Sequence, residues 1–349
     1  MKFGERNYFN LDKLNSIERK TIRVSQESLV KKEYLNSDKP LPLVICPTIE
    51  NLNLADWAKS NQPFIESELL KHGAILFRGF DIRSAPSLER FIQATNETVL
   101  EYTERSSPRT QVAGNIYTST DHPPYESIFL HNEQSYNCTF PQRIYFFCLL
   151  PAQQGGETPL ADTRKVFERI NPGVREDFIK RNYAYVRNFG DGCGLSWQTA
   201  FQTEERSVVE QYCHNNDISF EWKGKNRLRT SQVRRTVARH PQSGVLVWFN
   251  HLTFFHISTL GSSIRAELLS QFGEENLPNN TYYGDGSKID SLLMDELREA
   301  YLREKTAFQW QQNDVLLVDN MLVAHGRNPY VGPRTVLVGM SKPCGWKEV

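Results

Sequence analysis

The stretch FLHNEQSY (129–136) places His131 and Glu133 two positions apart. An imidazole nitrogen and a carboxylate oxygen both ligate divalent transition metals, so the pair could supply two corners of a metal site. If the stretch is a β-strand, the alternation of side chains sends both groups to one face and Asn132 to the other. Taken alone, such a pair more often marks the solvated side of a strand, and a metal site needs a third ligand.

The remaining histidines are His72, His122, His214, His240, His251, His256 and His325. His72 precedes a glycine at an expected helix end, where a cation meets the helix dipole favourably, and His214 sits in a similar last turn. His240 lies in the turn-like HPQSG. In NHLTFFH, His251 and His256 are five apart, which puts them about 140° apart on a helix and on opposite faces of a strand. They could not chelate one ion without a bend. His325 differs, because it follows the strand-like NDVLLVD and precedes GRNPYVGPR and the strand-like TVLVG, with Arg334 nine residues on. That places a neutral imidazole and a carboxylate-binding guanidinium at the mouth of a β-core.

Positioning these groups requires a substantial core, and 349 residues suffice for one. The helical patterns are 55–73, ending in a glycine stop, then SLERFIQATN, TRKVFERINPGVREDFIKR, RSVVEQYCHNN, SIRAELLSQFG and KIDSLLMDELREAYLREK, where Leu293, Leu297 and Tyr301 share a face. Strand-like runs are GAILFRGF, RIYFFCLL, GVLVWFN, NDVLLVD and RTVLVGM. The order is strands, a long helical insertion around 163–306, then strands again, with no linker or internal repeat; one unit over 1–349 is expected. Lysine plus arginine and aspartate plus glutamate both total 41, so no net field favours nucleic acid or an anionic membrane as partner. No apolar run reaches the roughly 20 residues of a membrane span and MKFGERNYFN is too polar to begin a signal peptide, so a cytoplasmic location is expected. The six cysteines form no CxxC pair and are read as reduced thiols.

GAILFRGF, LHNEQSY, GGETPLAD, WFNHLTFFH and DNMLVAHGRNPYVGPR, in that order, resemble the TauD/TfdA branch of the Fe(II)- and 2-oxoglutarate-dependent oxygenases. The likeness spans most of the chain and is greatest to SyrP-like and clavaminate-synthase-like members, which use glutamate in the histidine-x-carboxylate pair. It implies a mainly β fold with helical insertions, a double-stranded β-helix (jelly roll, cupin-like). His131, Glu133 and His325 would form a facial triad for Fe(II), leaving open positions for 2-oxoglutarate and O2. Arg334 would grip the distal carboxylate of 2-oxoglutarate, with the Thr158 hydroxyl beside it. The implied reaction is hydroxylation of an unactivated C–H with release of succinate and CO2; desaturation or ring formation stays open. Glu133 fills the position that related halogenases leave small for chloride.

For the substrate, Asn115, Tyr117, Asp121 and His122 in AGNIYTSTDHPPYESI could read a polar molecule or belong to a solvated loop. Arg327 could bind a substrate carboxylate or pair with an acidic neighbour. The resemblance points to an amino acid or amino-acid-derived secondary metabolite, free or on a carrier protein, and the protein could form a homo-oligomer. The alternatives are a catabolic sulfonate or aryloxy-acid dioxygenase of the same family, and a metal-binding jelly-roll isomerase or non-catalytic cupin.

Overall fold

The computed structural model describes residues 29–349 apart from 37, 96, 103, 105–108, 121, 191–193 and 225. Asp121 and Cys193 therefore lie outside the described residues. The chain begins with β1 (Val30–Tyr34), β2 (Leu43–Pro47), α1 (Leu54–Ser60), α2 (Gln62–His72), β3 (Ala74–Phe77) and α3 (Ala85–Ala94). The helical pattern over 55–73 divides in two because Asn61 leaves helical geometry (φ −125°, ψ 22°) and Pro63, in the first turn of α2, has no N–H with which to continue α1. Gly73 ends α2 in the left-handed region at φ 78°. Burial lowers the His72 imidazole, so this helix-end histidine sits neutral rather than as the cation expected from its position.

Next come β4 (Gln111–Ala113), β5 (Ile116–Thr118), β6 (Ile128–His131), β7 (Thr139–Leu150), β8 (Gln154–Gly155) and β9 (Leu160–Asp162). The segment expected to be a helical insertion does hold α4 (Thr163–Arg169), α5 (Pro172–Arg181), α6 (Trp197–Phe201), α7 (Arg206–Asn215), α8 (Leu252–Phe255), α9 (Ser262–Phe272) and α10 (Ser291–Glu304). It also holds β10 (Tyr183–Phe189), β11 (Ser219–Lys223), β12 (Arg227–Arg234), β13 (Val237–Arg239), β14 (Leu246–Trp248) and β15 (Asn279–Tyr283), of which four pair in the order β11-β12-β10-β15. This sheet escapes hydrophobic patterning because β12 turns Thr230, Gln232 and Arg234 inward, so its buried face carries no apolar period.

The chain closes with β16 (Val315–Asp319), β17 (Val323–Arg327), β18 (Tyr330–Val331) and β19 (Thr335–Gly345). The main sheet runs β1-β2-β3-β16-β7-β19-β5-β4, antiparallel except where β2 meets β3. Its central strands are buried on both faces, which is why they read as unbroken apolar runs. On β7, Tyr145 and Phe147 join the cluster under α1–α3, while Ile144, Phe146 and Cys148 face the opposite core. Leu317 and Leu316 of β16 divide in the same way. Opposite lies the three-stranded sheet β6-β17-β9, in which His325 is the direct cross-strand partner of His131. The protein is thus sheet-rich with helices on its periphery.

Gly326, between His325 and Arg327, lets β17 approach β6. A Cβ at Gly326 would stand 2.4 Å from the Ile128 carbonyl oxygen. Gly326→Ala is expected to lower stability by about 2 kcal/mol, measured as a lower urea midpoint at unchanged slope; an unchanged midpoint would mean that β6 and β17 separate without cost.

Candidate metal centre

β6 ends at His131, so Glu133 is not on the strand that the alternation argument assumed. It begins the turn 133–136, where Gln134 adopts φ 53°. Asn320, in the turn between β16 and β17, directs it. Its side-chain Oδ1 accepts from the Glu133 N–H (2.8 Å) and its Nδ2 donates to the Glu133 carbonyl (2.9 Å) and the Pro141 carbonyl (2.8 Å). In return, Asn132 Nδ2 donates to the Asn320 carbonyl at 2.6 Å. Two turns far apart in sequence are thereby joined through buried amides, and Glu133 points where the two histidines meet.

One ligand atom from each of His131, Glu133 and His325 lies within 4.8 Å of the others, and all three residues are buried. His325 Nε2 stands 3.8 Å from Glu133 Oε2. The His131 ring is held between His325 (centroids 4.6 Å apart) and a stacked Phe254 (4.7 Å, 26°). His131 Nδ1 lies 2.8 Å from the Phe129 carbonyl, which can only accept, so the proton is on Nδ1 and the Nε2 lone pair is free. Burial, reinforced by His325, pushes His131 down to about 3. For Glu133, burial alone would raise the carboxyl; Arg109, whose Nη2 donates to Oε2 at 2.9 Å, and the His325 contact override it and hold the group well below the usual carboxylate range. A neutral imidazole donor beside a carboxylate that stays ionised is a donor set that fits a divalent transition metal. His251 is adjacent, with its ring 4.9 Å from that of His131, but its Nδ1 contacts Ser135 Oγ at 2.8 Å and it stands outside the ligand cluster.

Arg334 is carried by the turn between β18 and β19, and β18 pairs with β8. The paired glycines make that approach possible. A Cβ on Gly155 (φ 69°) would stand 2.2 Å from the Pro329 oxygen, and one on Gly156 (φ 75°) would meet Arg334 Cδ at 3.0 Å. Arg334 Nε donates to the Gly156 carbonyl at 3.0 Å, and no carboxylate among the described residues pairs with the guanidinium. Burial, with Arg327 nearby, pushes it down to about 10. Thr158 is buried and its Oγ1 accepts from Trp310 Nε1 at 3.2 Å, which leaves its own hydroxyl proton to donate. β7 relates the two places: Phe146 packs on His325 (5.1 Å), and Cys148, two residues on along the same face and so about 7 Å away, lies within electrostatic reach of Arg334.

The expected substrate residues are dispersed. Asn115 sits in the β4–β5 turn and donates to the Val99 carbonyl at 3.3 Å. Tyr117 is buried on β5 beside Tyr102, with ring centroids 6.2 Å apart. His122 is exposed, and its carbonyl accepts from Arg327. Arg327 forms no ion pair among the described residues: it donates to the carbonyls of His122, Pro123 and Glu126 and so fastens that loop to β17. Sequence reading missed Arg109, which lies in a polar loop without periodicity, and Asn320, whose partners are 187 positions away.

A model of the family described as taurine catabolism dioxygenase TauD, TfdA matches residues 37–341. The dapdiamide synthesis protein DdaC of Enterobacter agglomerans is 39% identical over 80% of this chain and 85% of its own. A clavaminate synthase-like protein of Arabidopsis thaliana is 27% identical over 90% and 98%. Among solved structures, PvcB, an Fe, alpha-ketoglutarate dependent oxygenase from an isonitrile synthetic pathway, superposes with a TM-score of 0.51 at 16% identity, covering 89% of this chain and 91% of that one, a likeness of fold. With a family match over most of its length and a relative at this level of identity, the chain belongs to the TauD/TfdA family and is an Fe(II)- and 2-oxoglutarate-dependent dioxygenase.

Proposed function

We propose that this dioxygenase, built as a double-stranded β-helix, hydroxylates an unactivated C–H of an amino acid or amino-acid-derived secondary metabolite, free or carrier-bound. His131, Glu133 and His325 would hold Fe(II), and Arg334 with Thr158 would hold the distal carboxylate of 2-oxoglutarate. The observation that carries the reading is the convergence of three buried donors, two imidazoles on adjacent strands and one carboxylate, within 4.8 Å. The metal and 2-oxo acid supply the oxidising chemistry, with succinate and CO2 as co-products. The protein's residues bind and orient. Phe254 and Phe146 pack against the two histidine rings and exclude water; the Phe129 carbonyl fixes the His131 tautomer; Asn320 sets the Glu133 backbone. A half-buried guanidinium that pairs with no carboxylate among the described residues favours a 2-oxo acid cosubstrate over a cupin isomerase, which would need none. The dapdiamide synthesis relative supports a natural-product substrate over a sulfonate or aryloxy acid.

His325→Ala is expected to weaken Fe(II) binding more than about tenfold and abolish succinate formation, while His251→Ala keeps its metal. Metal content after dialysis measures both, and iron retained at full stoichiometry in His325→Ala would overturn the ligand set.

Arg334→Ala is expected to raise the KM for 2-oxoglutarate well over tenfold, since truncating one partner of a buried ion pair costs roughly 2–5 kcal/mol. Arg334→Lys should recover only part of this, because an ammonium cannot make the two-pronged contact. Succinate release against 2-oxoglutarate concentration is the readout, and an unchanged KM in Arg334→Ala would assign the cosubstrate to another cation.

A further inference from the structure

Arg109 lies just before β4, with its side chain 6% exposed. One nitrogen, Nη2, is committed to Glu133, and the flat face of the guanidinium rests on the Tyr102 ring at 4.4 Å. Nε and Nη1 are buried with no hydrogen-bond partner among the described residues. A buried N–H left without an acceptor is costly, and two on one cation beside the metal centre mark a place where an acceptor belongs. The neighbouring arginines are better satisfied. Arg327 leaves only Nε without an acceptor among the described residues and is otherwise held by three carbonyls, and Arg187 pairs with Glu104, which also accepts from the Tyr212 hydroxyl.

Charge gives the same answer. With a divalent metal and dianionic 2-oxoglutarate in place, Glu133 and the cosubstrate offset all but one of the positive charges of the metal, Arg334 and Arg109. A buried site with a net positive charge and two unused donors is complementary to one monoanion. Resting on the function proposed above, we infer that Arg109 receives the carboxylate of the substrate, so that the substrate enters as a free acid. A carrier-bound thioester offers a neutral carbonyl, which leaves the charge uncompensated. Arg109 is then both the specificity-determining contact and, through Glu133, a link between substrate and metal site.

The test uses the full chain loaded with Mn(II) and 2-oxoglutarate, titrated by calorimetry with the proteinogenic L-α-amino acids, the carboxamide of each, and the N-acetylcysteamine thioester of each. At least one acid is expected to bind about tenfold or more tightly than its amide and thioester, the range of a charge-assisted hydrogen bond. In Arg109→Gln, titrated with Mn(II) and 2-oxoglutarate raised to saturation because Glu133 has lost its Arg109 contact, this preference should fall to about unity, while Arg109→Lys, which tests the charge without the fork, should keep part of it. Acids and amides that behave alike in every pair, absence of binding included, overturn the inference. So does a preference for the thioester, or an acid preference that survives Arg109→Gln. If Arg109→Gln fails to fold, the Lys variant decides: an acid preference reduced or lost while metal and 2-oxoglutarate still bind supports the inference, and one as large as in the unaltered chain overturns it. Succinate formed under Fe(II) and air, together with no acid preference, would sink this inference alone; no 2-oxoglutarate binding at all would sink the function on which it rests.

Discussion

A single buried side-chain amide holds the metal-site turn in place. Asn320 presents its oxygen and nitrogen to the N–H and C=O of Glu133, as a neighbouring strand would, at a point where β6 has ended and no strand is available. The amide is itself anchored. Asp319 Oδ1 accepts from the N–H groups of Met321 and Leu322, and Asp319 Oδ2 receives His240 Nε2 at 3.1 Å. His240 Nδ1 accepts from the Ser243 N–H, which places its proton on Nε2, toward the aspartate. The turn before β17 is therefore fixed from both sides. Because Asn320, Asp319 and His240 are buried and their side chains hydrogen-bonded, this part of the network is rigid, and loss of any one of them would leave a desolvated polar group.

The second constraint is the two-faced burial of the main sheet. Phe146 and Cys148 can address the site only because Tyr145 and Phe147, on the alternate face, are covered by α1–α3. The helices lie far from the chemistry, yet they determine that the sheet presents a dry surface to His325 and Arg334. A dry surface is what gives a lone guanidinium or a carboxylate its selectivity, since water would otherwise screen both.

Much of the framework was legible in the sequence. Ala74–Phe77, Val315–Asp319, residues 143–150 of β7 and residues 335–340 of β19 announce themselves as apolar runs because both of their faces are covered, whereas the polar ends of β7 and β19 do not. The sheet built from β10, β11, β12 and β15 was not legible, because its inward residues include the polar Arg187, Thr230, Gln232 and Arg234, and Arg187 and Arg234 are held by partners that no local pattern reveals. At the site, strand alternation suggested that His131 and Glu133 share a face, but the reason they converge is a hydrogen-bonded turn supplied by residue 320. Arg109 and its unused donors depend entirely on tertiary placement.

The strand order has a consequence for biogenesis. β16 lies between β3 and β7, and β19 lies between β7 and β5, so the centre of the main sheet is filled by segments that leave the ribosome only after residue 315. Until then β3, β5 and β7 have unpaired edges and cannot pair with one another in the native order, an exposure that invites association with other chains. Such long-range pairings also form slowly once the chain is free. Of the three proposed ligands, His131 and Glu133 are made early but remain a fragment without the turn at Asn320 and the strand bearing His325. If these three residues are the metal ligands, as proposed, the nascent chain has no complete cage with which to capture a metal ion, and incorporation must follow closure of the sheet.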